Sequence, residues 1–243
     1  MLHYAVIGDP VEHSLSPSIY RELFELQGID ADFSKLLVTR LMLHDIRELT
    51  APLSGFAVTM PHKSAVIKYL DRLDSSASLC GAVNIVKRTP AGLIGYNTDG
   101  EGLCDALREL GFDPYGKRVC ILGRGGAAKA AAHSLQARGA SVTLLVRTPG
   151  FECAFPQVLI ADHKEECDLF INATPLGMAN NKSFEDVSLL ERLSPKLVFD
   201  MVYSAAGETR LVCLSRGLGI KVSDGHPMLR CQALRAFDIW FGR

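Results

Sequence analysis

The chain has 243 residues, 48% of them hydrophobic, and 26 Lys and Arg against 27 Asp and Glu give a formal charge of −1. That composition excludes a mainly disordered chain, and the near-neutral charge leaves no global field to recruit nucleic acid or an anionic membrane, so any anion site has to be built locally. With no run of about 18 uncharged apolar residues, and no basic region or cleavage site in Met1-Leu2-His3-Tyr4-Ala5-Val6, neither a membrane span nor a signal peptide is expected.

Taken in order, residues 4–8 form a short apolar strand. Ser16-Pro17 opens an amphipathic helix to Gln27, with Gly28 as its stop. Residues 33–39 and 55–59 read as strands. Pro61 suits the first position of a helix running to about Leu70. Residues 84–89 and 93–96 flank Pro90-Ala91-Gly92 as a hairpin. After Asp99 come a helix over 100–110, a strand over 117–122, a helix over 125–138 and a strand over 141–146. Further strands are expected over 168–173, 197–201 and 220–222, and a final helix over 228–241. The alternation argues for an α/β fold with parallel sheets, divided near Gly100 where a second βαβ series begins.

Gly123-x-Gly125-x-x-Ala128 lies between a strand and a helix, which is the context a dinucleotide fingerprint requires. Gly123 permits the tight turn, Gly125 lets a pyrophosphate approach the backbone, and Ala128 lets helix and strand pack closely. Gly126 and Ala127 open the helix, whose free N–H groups would face the phosphates. Arg124, inside the loop, is either a solvated arginine or added positive charge near a phosphate. The next strand ends Val146-Arg147-Thr148 with no carboxylate for a ribose hydroxyl. An arginine there pairs with a 2′-phosphate, which favours NADP over NAD, although Pro149-Gly150-Phe151 adds no second basic residue.

The first hundred residues carry polar groups that turns alone do not need. Ser14 and Ser16 precede a helix, and the choice is between a cap and a cradle for a carboxylate. Lys63, near a helix start, is either a surface lysine or a partly desolvated proton donor and acceptor. Asp99 by itself reads as a helix cap. His13 and His62 read as loop or helix-surface residues. The seven cysteines, without a C-x-x-C pair, fit a reducing cytoplasm and serve mostly as apolar filler. Trp240 and Phe241 read as anchors for the last helix, and no grouping has metal-ligand spacing.

Together the segments resemble the shikimate dehydrogenase family. They include Gly8-Asp9-Pro10, Ser14-Leu15-Ser16-Pro17, Val58-Thr59-Met60-Pro61-His62-Lys63, Gly81-Ala82-Val83-Asn84, Asn97-Thr98-Asp99-Gly100, the Gly123 loop, Asn172-Ala173-Thr174-Pro175-Leu176-Gly177-Met178, Asp200-Met201-Val202-Tyr203, and residues 225–232 with Ala236-Phe237 beyond. The resemblance implies two α/β domains. Residues 1–100 with 226–243 would bind substrate, and residues 101–225 would bind NADP in a Rossmann-type domain, the last helix returning to the first. It implies NADP-dependent hydride transfer between shikimate and 3-dehydroshikimate, with Lys63 and Asp99 as the catalytic pair. Ser14 and Ser16 would hold the substrate carboxylate, and Thr59, Asn84, Asp99, Tyr203 and Gln232 would also bind substrate. Gly123, Arg124, Gly125, Gly126, Ala127, Arg147, Thr148, Thr174, Met201 and Gly225 would bind cofactor.

Some positions depart from the family pattern: Ala57 precedes Val58-Thr59, Arg124 stands inside the glycine loop, Val146 precedes Arg147-Thr148, and Tyr203 leads into Ser204-Ala205-Ala206-Gly207. They leave open a quinate or aminoshikimate dehydrogenase, or a nucleotide-binding sensor without catalysis. A small-molecule substrate, no nucleic acid or membrane partner, no metal, and a monomer or homodimer complete the expectations.

Overall fold

A computed structural model describes residues 1–148, 150, 154–178, 182–204 and 207–242. The chain forms two compact units, Met1–Gly102 with Leu229–Arg243, and Leu103–Met228. In the first unit the elements run β1 (Leu2–Gly8), α1 (Ser16–Leu26), β2 (Ala31–Leu37), α2 (Ile46–Leu49), β3 (Gly55–Val58), β4 (Arg72–Leu73), α3 (Ser75–Cys80), β5 (Ile85–Thr89) and β6 (Gly92–Tyr96). The chain leaves that unit within α4 (Asp99–Glu109). The second unit holds β7 (Arg118–Leu122), α5 (Gly126–Gln136), β8 (Ser141–Val146), β9 (Gln157–Leu159), β10 (Leu169–Asn172), α6 (Val187–Leu193), β11 (Leu197–Asp200), α7 (Arg210–Gly217) and β12 (Lys221–Ser223). The chain returns within α8 (His226–Phe241).

The first sheet has the order β2-β1-β3-β5-β6-β4. It is mixed rather than parallel: Pro90-Ala91-Gly92 turns the chain back so that β6 runs antiparallel to β5, and β5 also runs antiparallel to β3. Strand β1, between β2 and β3, is apolar on both faces, as a strand covered on both sides must be. Ala5 and Ile7 enter one core layer with Leu43, Ile46, Phe56 and Val66. Tyr4 and Val6 enter the other with Tyr20, Phe24, Phe33, Phe237 and Trp240. The second layer fastens α8 to the sheet. Trp240 lies 4.6 Å from the Tyr4 ring and 5.1 Å from Tyr20, and its indole N–H donates to the Val86 carbonyl at 3.1 Å. Buried aromatic groups of this size each contribute roughly 1.5–3 kcal/mol.

The second sheet is parallel throughout, in the order β12-β11-β10-β7-β8-β9. Counted from its own first strand this is 3-2-1-4-5-6 read from the β9 edge, the doubly wound order whose switch point falls between β7 and β10. Cys120, Leu122, Phe170 and Val198 pack on one face against Leu189, Leu190 and Leu193 of α6 and Leu211 of α7. Among the described residues no helix is long and apolar enough to cross a membrane.

The helix expected from Pro61 to Leu70 does not form as such. Residues 61–64 make a turn and only Ala65–Tyr69 coils, as a 3-10 helix. The Lys63 carbonyl is taken by the Val83 N–H at 2.7 Å, so it is unavailable to a helical ladder. His62 is fully buried rather than on a helix surface, because its Nε2 is drawn 2.5 Å from the Val38 carbonyl. Sequence reading also passed over β4, β9, α2, α3, α6 and α7.

Candidate active site

In the first unit, Ser14 and Ser16 stand at the amino end of α1. Leu15, not a serine, occupies the cap position and makes no side-chain cap bond. The two hydroxyls are 3.2 Å apart, and Ser14 Oγ also accepts from the Ser16 N–H at 3.3 Å. No acidic side chain lies in this first turn, so no carboxylate of the helix's own first turn offsets its dipole there.

Thr59 follows β3, with its N–H on the Ile7 carbonyl at 2.9 Å. A methyl group on Gly8 would collide with Thr59 Cγ2, so glycine is what lets the β1 and β3 ends close together. Four residues on, Lys63 extends its ammonium to Asp99 Oδ2 in a close ion pair. The lysine side chain is 24% exposed and the aspartate 7%, so the ammonium borders solvent while the carboxylate is enclosed.

Asp99 is held from two further directions. Its N–H donates to Asn97 Oδ1 at 3.0 Å, while Asn84 Nδ2 donates to its Oδ1 at 2.8 Å. Asn84 Nδ2 also reaches Thr98 Oγ1 (2.9 Å) and Gln232 Oε1 (3.3 Å), and Asn84 Oδ1 accepts from the Thr98 N–H at 2.8 Å. Thr98 Oγ1 donates to Gln232 Oε1 at 3.2 Å. So residues from the β5 entrance, the α4 entrance and α8 share one buried polar network. Such a network fixes side-chain positions when its members are satisfied. Lys63, Asn84, Asp99 and Gln232 are thereby brought together. Thr98 joins them without having been assigned a role from sequence; its place between Asn97 and Asp99 was the available signal.

The second unit gathers its residues at the carboxyl ends of β7, β10 and β11. Gly123 has φ of +119° and faces Thr174 and the Ala173 carbonyl, at 3.1 and 3.2 Å from where a Cβ would lie. α5 starts at Gly126 behind a Gly125 cap, with no acidic residue in its first turn and open space where a Gly125 side chain would be. A glycine cradle at a helix amino end, unobstructed, fits a dinucleotide pyrophosphate. Ala127 lies in that first turn, and Arg147 and Thr148 follow β8, exposed.

Asn172 organises the neighbouring loop. Its Oδ1 accepts from the Thr174 hydroxyl at 2.6 Å, and its Nδ2 donates to Asp200 Oδ1 at 2.8 Å. Asp200 is fully buried and also accepts from Thr209 Oγ1 at 2.6 Å and the Val202 N–H at 3.1 Å. Burial pushes its carboxyl above the usual carboxylate range, against the pull of these hydrogen bonds. Sequence reading gave Asp200 no role; an acid closing the apolar run Leu197-Val198-Phe199 was its signal. Met201 N–H donates to the Asn172 carbonyl at 3.0 Å, and Gly225 packs against Met201, whose carbonyl a Cβ there would strike. Tyr203 belongs to this unit, its ring 5.5 Å from His226. Pro149, Phe151, Ala205 and Ala206 lie outside the described residues.

Comparison with known proteins gives a consistent result. A model of the shikimate dehydrogenase substrate binding domain matches residues 6–86. Shikimate dehydrogenase (NADP(+)) of Geobacter sulfurreducens is 37% identical over 260 residues, covering 98% of this chain and 90% of its own. The Bacillus cereus (strain B4264) protein of the same name is 34% identical over 257 residues, covering 99% and 92%. Among solved structures, the shikimate 5-dehydrogenase of Thermus thermophilus in complex with NADP(H) and shikimate superposes with a TM-score of 0.87 at 30% identity, covering 100% of this chain and 94% of that one.

Proposed function

This chain belongs to the shikimate dehydrogenase family, and we propose that it catalyses the reversible NADP-dependent reduction of 3-dehydroshikimate to shikimate. What supports the reaction most is the Lys63–Asp99 ion pair, with its ammonium bordering solvent and its carboxylate enclosed by Asn84.

NADP, when bound, supplies the hydride acceptor or donor. In oxidation the neutral Lys63 amine accepts the hydroxyl proton, and in reduction its ammonium donates that proton to the developing oxyanion, so one group at hydrogen-bond reach serves both directions. Asp99 fixes the ammonium in place, and Asn84 and Thr98 fix Asp99 and Gln232 in turn. Ser14 and Ser16 hold the substrate carboxylate, and Thr59, Gln232 and Tyr203 bind its other oxygens. Gly123, Gly125, Gly126 and Ala127 take the pyrophosphate, and Arg147 and Thr148 the 2′-phosphate side. Thr174, Met201 and Gly225 line the nicotinamide side. The division of labour is a substrate unit and a cofactor unit, working in the cytoplasm, where the free cysteines of the described chain remain reduced.

A matrix of initial rates, shikimate and quinate each against NADP and NAD, tests this. Shikimate with NADP is expected to lead by about tenfold or more, equivalent to ~1.4 kcal/mol of differential transition-state binding. Binding of NADP without turnover of either substrate would instead mark a sensor.

A further inference from the structure

The loop after β8 offers Arg147 but no second basic residue in sequence, yet the fold brings one there. Arg124 leaves the glycine loop after β7 and lays its guanidinium against Gly150, with Nη1 in the space that a Gly150 Cβ would need. Gly150 is itself clasped to β9. Its N–H donates to Gln157 Oε1 at 2.9 Å, and its carbonyl accepts from Gln157 Nε2 at 3.3 Å. Gln157 pairs with Leu144 in the sheet, so this clasp ties Gly150 to the β8–β9 ladder. The guanidinium of Arg124 is thereby carried beyond the end of the second strand, where a doubly wound fold places the adenosine ribose. Among the described residues that follow that strand end, Arg147, Thr148 and Gly150, none is a carboxylate that could claim it.

Resting on the NADP reading above, we propose that Arg124 is a second specificity-determining cation for the adenosine 2′-phosphate, set in place by the absence of a side chain at Gly150. It acts with Arg147: two planar guanidiniums offer a phosphate more fixed donors than one. Gly150 provides an unusually clean control. Its φ lies outside the left-handed region, so alanine fits the backbone, and the added methyl meets only the movable end of Arg124 at under 3 Å. Gly150→Ala thus moves the guanidinium without removing its charge.

The test is calorimetric binding of 2′,5′-ADP and 5′-AMP to the wild-type chain, Arg124→Ala and Gly150→Ala, with no turnover involved. Arg124→Ala is expected to lose about tenfold or more in affinity for 2′,5′-ADP, the size of a lost charge-assisted hydrogen bond, while 5′-AMP affinity changes by less than about twofold. Gly150→Ala is expected to shift in the same direction by less. Equal weakening toward both nucleotides would reduce Arg124 to a general phosphate contact and overturn the assignment, as would no change in either. An unaffected Gly150→Ala would overturn the part given to Gly150. A wild-type chain that binds both nucleotides equally would overturn the NADP reading itself. A wild-type preference that survives Arg124→Ala would overturn only the role of Arg124.

Discussion

Gly102 on α4 lies so close to Gln232 on α8 that a Cβ at Gly102 would stand 2.7 Å from both the Gln232 nitrogen and its Cβ. The contact is with backbone, which cannot swing aside, and Gln232 carries the carboxamide that meets Asn84 and Thr98. In an open helix Gly→Ala gains roughly 0.5–1 kcal/mol. Here overpacking costs about 1–3 kcal/mol and wins. Gly102→Ala is therefore expected to lower the urea midpoint and raise KM for shikimate together. A more stable variant with unchanged KM would show that the helices part without disturbing the site.

Tyr20 gives the opposite sign. Its ring stacks on Phe33 at 4.3 Å, and its hydroxyl is buried with no hydrogen-bond partner among the described residues. Burial drives the phenol well above its ordinary pKa, and the charge of Asp99 adds to the shift, so the group stays protonated. An unsatisfied buried hydroxyl costs about 1–3 kcal/mol. Tyr20→Phe keeps the stack and removes that cost, so its Tm is expected to equal or exceed that of the wild type. A clear fall in Tm would mean that the hydroxyl is satisfied in solution.

The acid limb of stability has an identifiable contributor in Asp168. Lys196 pairs with it at 2.8 Å and the Arg118 N–H donates to it at 3.0 Å, and together they hold its carboxyl below the usual range. A depressed folded pKa gives stability that is present above the unfolded value of about 3.9 and lost as pH falls through the folded one. Buried Asp200 works the other way, since its raised pKa favours the protonated folded state. Asp168→Asn is expected to lower Tm at neutral pH, with the gap to wild type closing below about pH 4. A gap independent of pH would assign the loss to packing instead.

Much of this was legible from residues alone, because strong local signals agreed with the fold. The β1 run, the Pro90-Ala91-Gly92 hairpin and the Gly123 turn each carry a pattern that only one backbone form satisfies. What was missed depended on tertiary partners. Lys63 was expected in a helix, but Val83 takes its carbonyl from across the unit. His62 looked like a surface residue until Val38 claimed its ring. Short elements such as α2 and β4 have too few residues to show a period. Arg124 and Gly150 are 26 positions apart, and nothing in sequence joins them.

The central claim is that Lys63 moves the proton and Asp99 holds it in position to do so. Steady-state oxidation of shikimate by NADP with Lys63→Ala tests it most directly. The expected result is a fall in kcat of about 10²–10⁴-fold with KM for shikimate nearly kept. A kcat equal to that of the wild type would remove Lys63 from the chemistry.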